Sequence, residues 1–322
     1  MRRMRFGGLI FSCYAALLVT TAVHGQDYPV KPVRMVLTAP GGSIDFTGRL
    51  IAYGLPAHLG QPVVMDHRGG SATIPAGIVA KSPADGYTLL LYGTSLWIAP
   101  FLQEVSYDTL RDFVPITLAA STPNIIVVHP SLPVSSVREL IALAKFKPGQ
   151  LSYASAITGS STHLAGELFT SLAGVKILRV PYRGAGQAIT DLIGGQVLMM
   201  FANAAGVSPH FKSGRLKPLA VASARPSQLF PDLPTAGSSG LPGYETSSIN
   251  GLFAPAKTPT AIVRRLHQDT VKVLHAPDVK EQFMNAGSEA VGSSPEEFTA
   301  AIKSEMERLG KVIKAAGIRA EP

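Results

Sequence analysis

The segment Leu151-Ser-Tyr-Ala-Ser-Ala-Ile-Thr-Gly-Ser-Ser-Thr-His163 decides how this sequence is interpreted. Seven of its last nine residues are Ser, Thr, Gly or Ala, and apolar residues follow at helical spacing as far as Leu172. The pattern predicts a helix that begins at about Thr162 and ends at a Gly174 cap. Because the first N–H groups of a helix lack internal partners and carry partial positive charge, we expect an anion such as a carboxylate to bind here.

The arrangement of strand, polar loop and helix recurs on both sides of this segment. Residues 175–180 predict a strand before Tyr182-Arg183-Gly184, and residues 33–38 predict one before Gly41-Gly42, with Ser43 as N-cap of a helix over about 44–58. Thr94 follows a third apolar strand, and Arg68 lies in a further loop. Loops after parallel strands share one sheet edge, so we expect these loops to line one site.

The alternation of strands and helices predicts an α/β fold with mixed, mostly parallel sheets. Residues 121–124 separate two apolar runs and indicate a crossover between domains, and residues 248–253 predict a strand that returns to the first domain. We therefore divide the chain into a first lobe of residues 26–122 and 247–322 and a second lobe of residues 123–246. Residues 225–243 are rich in Pro, Gly and Ser and predict a long loop.

Composition favours a compact globular protein. The 322 residues are 46% hydrophobic and 16% charged, which is enough apolar material for two domains. The formal charge of +8 comes from scattered basic residues, and three arginines before residue 6 contribute to it, so that +5 is left after their removal. Without a basic, aromatic-lined stripe, this charge does not favour nucleic-acid binding.

The first 25 residues have the pattern of a signal peptide. Arg2, Arg3 and Arg5 precede the apolar run 9–23, and Val23-His-Gly25 provides small residues for cleavage. The alternative is an uncleaved membrane anchor, although the run is shorter than the ~20 residues that a spanning helix needs. Cys13, the only cysteine, lies in this segment. The exported protein would therefore have no thiol, which excludes cysteine nucleophiles and thiolate metal sites.

Eight ordered motifs run through the rest of the chain: Lys31-Pro32, Ala39-Pro-Gly-Gly-Ser-Ile-Asp45, Leu59-Gly-Gln-Pro-Val63, Ala84-Asp-Gly-Tyr-Thr-Leu89, His163-Leu-Ala-Gly-Glu-Leu-Phe169, Val180-Pro-Tyr-Arg-Gly184, Asp191-Leu-Ile-Gly-Gly-Gln-Val197 and Gly240-Leu-Pro-Gly243. Together they resemble the Bug family, the extracytoplasmic solute receptors of tripartite tricarboxylate transporters. The resemblance implies a two-lobed, type II-like periplasmic-binding-protein fold that closes over a small carboxylated solute, either an organic acid or an amino acid. It also implies delivery to membrane permease subunits, and we expect a monomer without cofactor or metal.

The chain departs from the family pattern at several places. Ala39-Pro40 stands where two prolines are common, and the loop that begins at His67 is one residue shorter than usual. Ala202 replaces a common aspartate, and Ile157 lies in a loop that is usually more polar. These differences bear on which solute is bound rather than on the fold.

Residues in the glycine- and serine-rich loops are the predicted ligand-binding set: Gly41, Gly42, Ser43, Asp45, Thr94, Ser155, Thr158, Ser160, Ser161, His163, Arg183 and Asn203. Hydroxyls can donate to a carboxylate without adding charge. Three members have a second interpretation. Asp45 either stabilises a helix start or attracts an ammonium group, His163 either satisfies backbone groups or borders the site, and Arg183 is either solvated or pairs with a distal carboxylate.

Two other functions would use the same residues. An exported serine hydrolase would need Ser160 or Ser161 with His163 as base, but both serines start the same helix as the histidine, and the sequence has neither a Gly-x-Ser-x-Gly elbow nor a His-Glu-x-x-His motif. A sensory receptor would share the binding cleft and differ only in its membrane partner. Hydrolytic turnover would indicate the enzyme, and stoichiometric binding would indicate a receptor.

Overall fold

The computed structural model describes residues 28–69 and 73–316. These residues form the strands β1 Val33–Leu37, β2 Val63–His67, β3 Thr88–Gly93, β4 Phe113–Val128, β5 Ser152–Ser155, β6 Leu178–Pro181, β7 Met199–Asn203, β8 Lys217–Val221, β9 Ser247–Pro255 and β10 Glu289–Ala290. Their helices are α1 Gly42–Gly54, α2 Pro56–Leu59, α3 Ile74–Ala80, α4 Ser95–Leu102, α5 Val137–Phe146, α6 Ser161–Ala173, α7 Ala185–Ile193, α8 Ala204–Val207, α9 Thr260–His275, α10 Pro277–Asn285 and α11 Pro295–Ala316. The predicted signal peptide lies outside the described residues.

The strands follow the order β2-β1-β3-β9-β4-β7-β5-β6, and β8 and β10 both pair with β4. Pairing is parallel among β2, β1 and β3 and among β7, β5 and β6, whereas β9 and β4 join these two groups through antiparallel pairs. Each parallel group therefore has its own carboxyl edge, and the two edges belong to separate lobes. The predicted α/β class is confirmed.

Strand β4 connects the lobes without a break. Its first part pairs with β9 as far as Pro123, and from Asn124 onward it pairs with β7. The sequence analysis predicted a crossover between domains at residues 121–124, which separate two apolar runs, and did not predict one continuous strand. Proline is tolerated at this position because the strand changes partners there. The lobe boundaries at 122/123 and 246/247 stay a prediction.

Helices cover both faces of each parallel group. In β1, Val33, Met35 and Leu37 pack into one core while Val36 packs into another, as the period of a strand requires. In the second lobe, Ile126 and Val127 of β4 likewise enter different cores. With both faces covered, the loops at the carboxyl edges are the surfaces left to form a cleft.

Local signals predicted most elements and missed some boundaries. The capping box of α11 is confirmed, because Ser294 N donates to Glu297 Oε2 over 2.9 Å and Glu297 N donates to Ser294 Oγ over 3.1 Å. The helix expected over 44–58 is divided into α1 and α2 because Pro56 begins a new helix. The strand expected to begin at residue 175 begins at Leu178.

Candidate functional site

A small cavity lies where four helices begin. Its volume is about 50 Å³, and its wall consists of Thr38, Gly41, Gly42, Ser43, Ile44, Gly93, Thr94, Ser95, Ala156, Ile157, Ser160, Ser161, Thr162, Arg183, Gly184, Ala185, Asn203 and Ser248. We call it the cleft cavity. The starts of α1 and α4 reach it from the first lobe, and the starts of α6 and α7 reach it from the second. Eight of the twelve predicted ligand-binding residues line it: Gly41, Gly42, Ser43, Thr94, Ser160, Ser161, Arg183 and Asn203.

The start of α1 is an open helix end. Gly41 occupies the N-cap position with φ 88° and ψ 157°, a conformation that is essentially confined to glycine, and no side chain caps the helix. The same loop contacts the start of α7, because a Cβ on Gly41 would lie 2.5 Å from the Cα of Gly186. The two lobes therefore meet here through backbone.

At the start of α4, Thr94 is part of the cavity wall, and its hydroxyl is buried behind the wall surface. Thr94 is 4% exposed, and its Oγ1 has no hydrogen-bond partner among the described residues. A buried hydroxyl without a partner costs about 1–3 kcal/mol. Thr94 thus has an unsatisfied hydroxyl next to the cavity.

At the start of α6, two serines line the cavity and have different hydrogen-bond partners. Ser160 caps the helix, because its Oγ accepts from His163 N over 3.3 Å. Ser161 Oγ accepts from Asn203 Nδ2 over 3.0 Å. Since that bond leaves the Ser161 hydroxyl proton unused, the proton can be donated to a solute.

Asparagine side chains fix the direction of these bonds. Asn124 Nδ2 donates to the Ser161 carbonyl over 3.3 Å, which sets the orientation of the Asn124 amide. Its Oδ1 then accepts from Asn203 Nδ2 over 2.8 Å. Both hydrogens of the Asn203 amide are used in this way, so its Oδ1 is left as an acceptor.

A similar network of side-chain hydrogen bonds lies behind α1 in the first lobe. Ser43 Oγ lies 3.1 Å from Ser248 Oγ and 3.5 Å from Asn250 Oδ1, and Asn250 Nδ2 donates to Thr47 Oγ1 over 3.2 Å. The sequence analysis missed Asn124, Ser248 and Asn250. The sequence feature that could have indicated them is that each is a polar residue inside a largely apolar strand that joins the lobes.

Two predicted hydroxyl donors lie behind the wall instead. Ser155 Oγ accepts from Arg179 Nε over 2.7 Å, and Thr158 Oγ1 accepts from the same guanidinium over 3.2 Å. Arg179 also donates to the Ala156 carbonyl over 3.3 Å. Arg179, which was not predicted, therefore fixes the β5–α6 loop. Ser155 and Thr158 do not line the cavity, and their role as solute donors stays a prediction.

His163 is also behind the wall. Its side chain is buried, and its Nδ1 accepts from Gly159 N over 3.1 Å, so Nε2 carries the ring proton. Burial, with a smaller contribution from the charge of Arg179, lowers the pKa of His163 to about 3. The imidazole is therefore neutral and orients the Gly159 loop, in agreement with the interpretation that it satisfies a backbone group, whereas its role as a ligand-binding residue stays a prediction.

Asp45 faces away from the cavity as well. Its Oδ1 lies 2.8 Å from His67 Nε2, and its Oδ2 accepts from Gly41 N over 3.1 Å and from Arg49 Nε over 3.0 Å. Burial by itself would raise the pKa of this carboxyl, but the bonds from Gly41, His67 and Arg49 hold the pKa below its ordinary value. Arg68, expected near the cleft, pairs with Asp66 and is not part of the wall.

The electrostatics of the cavity favour an anion. Among the described residues that line the cavity, none is Asp or Glu, and the one with a charged side chain is the exposed Arg183. The described residues contain no cluster of His, Cys, Asp and Glu that could hold a metal ion. Within the same residues, no helix has the length and apolar composition needed to cross a membrane.

Comparisons with known proteins agree with this geometry. The sequence pattern described as "Tripartite tricarboxylate transporter family receptor" matches residues 47–318. Protein BugT of Bordetella pertussis is 34% identical over 306 residues, which cover 94% of each chain.

Solved structures of similar proteins carry named acids. A Rhodopseudomonas palustris protein, Rpa4515 with adipate, superposes with a TM-score of 0.88 at 37% identity, covering 91% of this chain and 99% of that one. MatC from the same organism, with bound malate, superposes with a TM-score of 0.86 at 28% identity, covering 89% and 100%.

Proposed function

Because this chain belongs to the receptor family of tripartite tricarboxylate transporters, whose members are periplasmic receptors, we propose that it captures a small carboxylated solute. Delivery of that solute to the permease subunits of such a transporter is the second part of the proposal. Solute-binding receptors are not an enzyme class. Export through a signal peptide of residues 1–25 and action as a monomer complete the proposal.

The observation that carries this function is the convergence of four helix starts on a cavity without an acidic side chain. Each helix start supplies N–H groups without internal partners and about half a positive charge. A carboxylate in the cavity would satisfy these groups in a partly water-excluded site. Thr94 and Ser161 add hydroxyl protons that no protein group of the described chain accepts.

Closure of the two lobes would couple binding to a change of shape. The contact between the Gly41 loop and Gly186 joins the lobes at the rim of the cavity. A solute that touches α1 and α4 on one side and α6 and α7 on the other binds the closed form better than the open form. This difference in affinity is what shifts the equilibrium toward the closed form.

The acids named for similar structures support a small organic acid. Rpa4515 was solved with adipate and MatC with malate. The hydrolase alternative lacks support, because the neutral His163 accepts from a backbone N–H and lies behind the wall. No catalytic base is therefore available to Ser160 or Ser161 from this histidine. A sensory receptor would share the binding step and differ only in its membrane partner.

The test is solute binding by Thr94→Val and by a matched control, Thr270→Val. Both threonines are buried hydroxyls without partners among the described residues, but Thr270 lies in α9, away from the cavity. Each variant should raise the free energy of unfolding of the empty protein by about 1 kcal/mol, because an unsatisfied hydroxyl is removed. Only Thr94→Val should weaken carboxylate binding, by tenfold or more.

The measurements are urea unfolding and titration calorimetry on refolded protein, with mono-, di- and tricarboxylates. A ligand present at a hundredfold its Kd should also add about 2.7 kcal/mol to the stability of the wild type. If no carboxylate binds the wild type, the receptor proposal is wrong. If acids bind but Thr94→Val and Thr270→Val bind them equally well, the proposed role of Thr94 is wrong.

A further inference from the structure

Helix α6 belongs to the second lobe, but one of its side chains is buried in a core of the first lobe. That side chain is Leu164, which lies in the first turn of α6 and is 6% exposed. Resting on the proposed function, we infer that Leu164 is a positioning residue for solute binding, because its contact between the lobes sets the affinity. Leu164 is not part of the wall of the cleft cavity, so it acts without touching the solute.

The partners of Leu164 come from the first lobe. Leu164 belongs to a hydrophobic cluster whose other buried members lie in β1, α3, β3, α4, β9, α11 and the chain from residue 107 to residue 113. Among the described residues, Leu164 is the one buried member of this cluster that the second lobe supplies. The next residue of the helix, Ala165, packs into the core of the second lobe instead. Two successive residues of α6 therefore enter the cores of different lobes.

A second apolar contact between the lobes involves the loop that leads into α6. Ile157 of this loop and Ala99 of α4 form a small buried cluster, with 9% and 1% of their surfaces exposed. A Cβ on Gly159 in the same loop would lie 3.4 Å from a methyl group of Leu102, also in α4. The β5–α6 loop and the first turn of α6 therefore contact the first lobe together. Because Ile157 also lines the cavity, Leu164 is the residue that tests this contact apart from the solute.

The remainder of α6 is fixed to the second lobe. The carbonyl of Ala165 accepts from Tyr244 Oη over 3.1 Å. Farther along the helix, the ring of Phe169 lies 4.9 Å from that of Phe201 in β7 and 5.9 Å from that of Tyr244. When the lobes separate, α6 should therefore move with the second lobe, and Leu164 should leave the core of the first.

A contact of this kind acts on the equilibrium between the open and closed forms. Burial of apolar surface is favourable in proportion to the area removed from water, so a contact made only on closure stabilises the closed form. The apparent affinity of a receptor is reduced by the fraction of molecules that are not in the form competent to bind. Loss of the contact should therefore weaken binding by one common factor for every solute, because this factor belongs to the protein.

The test compares Leu164→Ala with Leu140→Ala on the wild-type background. Leu140 of α5 is fully buried in the core of the second lobe, so both substitutions remove the same atoms from a core, and both should lower the urea midpoint. Calorimetry with mono-, di- and tricarboxylates should show a Kd at least tenfold higher for Leu164→Ala with each acid that binds the wild type. Leu140→Ala should stay within threefold of the wild type. Leu164→Met, which nearly conserves the volume, should also stay within threefold.

The possible results separate this inference from the receptor function. An increase in Kd below tenfold for Leu164→Ala, or an equal increase for Leu140→Ala, overturns the inference while the receptor function stands. An increase that differs by more than tenfold between acids would mean that Leu164 acts through the solute, and it also overturns the inference. If no carboxylate binds the wild type, both proposals are wrong. If either alanine variant does not fold, Leu164→Val and Leu140→Val replace the pair, with a threefold increase in Kd required of Leu164→Val alone.

Discussion

At the starts of α1 and α6, side chains of different charge accept the same kind of backbone hydrogen bond. In each helix, a side chain of the first turn accepts from the N–H of a glycine four residues earlier. Asp45 Oδ2 lies 3.1 Å from Gly41 N, and His163 Nδ1 lies 3.1 Å from Gly159 N. The carboxylate is stabilised by Arg49 and His67, whereas the imidazole stays neutral because it is buried. The backbone geometry is thus repeated between lobes although the chemistry that maintains it is not.

The two helix starts also differ in what they leave for a solute. Ser160 caps α6 and occupies one of its N–H groups, while α1 has no side-chain cap. We therefore expect α1 to bind a carboxylate mainly through backbone and α6 mainly through the hydroxyl of Ser161. The same type of substitution at the two helix starts should therefore change solute affinity by different amounts.

The largest expected difference comes from adding a methyl group to each glycine. Gly41→Ala and Gly159→Ala both place alanine at positive φ, 88° and 78°. A Cβ at Gly41 would lie 2.5 Å from the Cα of Gly186 in the other lobe, whereas the nearest atom to a Cβ at Gly159 is a Leu102 methyl at 3.4 Å. Gly41→Ala should weaken solute binding at least a hundredfold, about 2.7 kcal/mol, because closure is blocked.

Gly159→Ala is the matched control for backbone strain. It should lower the free energy of unfolding by about 1–2 kcal/mol and leave affinity within tenfold of the wild type. Calorimetry gives the affinities, and small-angle X-ray scattering with and without solute reports closure. Equal loss of affinity in both variants would show that the contact between Gly41 and Gly186 does not control closure.

The second prediction concerns stability in acid, where the neutral acceptor His163 should behave differently from the charged acceptor Asp45. His163 has a pKa near 6.5 when unfolded and about 3 when folded, so the unfolded chain binds more protons below pH 6.5. Stability from this group is present above pH 6.5 and is lost as the pH falls. Between pH 7 and pH 5 the loss should be about 2 kcal/mol.

His163→Asn keeps an acceptor for Gly159 N–H and removes the titration. Its unfolding free energy should be lower than that of the wild type at pH 7, because the ring is lost, but should fall less between pH 7 and pH 5. Urea unfolding at the two pH values measures the difference. An identical fall in wild type and variant would place the acid sensitivity elsewhere.

Much of this comparison could be predicted from the sequence because its signals are local. Glycine before a helix, serine at the N-cap and alternating strands and helices predicted the α/β class and eight members of the cavity wall. The continuity of β4 was missed, because the polar residues 121–124 separate two apolar runs and only the pairing with β9 and β7 shows that one strand runs through them.

The parts that could not be predicted depend on contacts distant in sequence. Arg179 reaches Ser155 because β5 and β6 pair in parallel with Tyr153 opposite Arg179, and this register is not visible in either strand alone. The direction of Asp45 depends likewise on His67, which is 22 residues away. Residue type was sufficient to find the loops but insufficient to decide which side chains face the cavity.

A smaller effect distinguishes the two serines of α6. Ser161→Ala removes a predicted solute donor and should weaken carboxylate binding about tenfold with little change in stability. Ser160→Ala removes the helix cap and should lower the free energy of unfolding by about 1 kcal/mol with a smaller change in affinity. Calorimetry and urea unfolding on the same samples check both values. Reversed results would mean that Ser160, rather than Ser161, faces the solute.

The smallest expected effect is that of Asp45→Asn. The amide keeps an acceptor for Gly41 N–H, so the affinity for a carboxylated solute should stay within threefold of the wild type. The free energy of unfolding at pH 7 should fall by at most about 1 kcal/mol, because the anion at the helix start is lost. Since the folded pKa of Asp45 is lowered, this contribution is present above pH 4 and is lost as the pH falls through that lowered pKa, so the difference between the two proteins in urea unfolding should shrink as the solution is made more acidic. Asp278→Asn, an exposed acid in the first turn of α10, is the control and should cost only about 0.3 kcal/mol. A large loss of affinity in Asp45→Asn would mean that α1 depends on the charge of its acceptor, and the parallel with the neutral His163 would not hold.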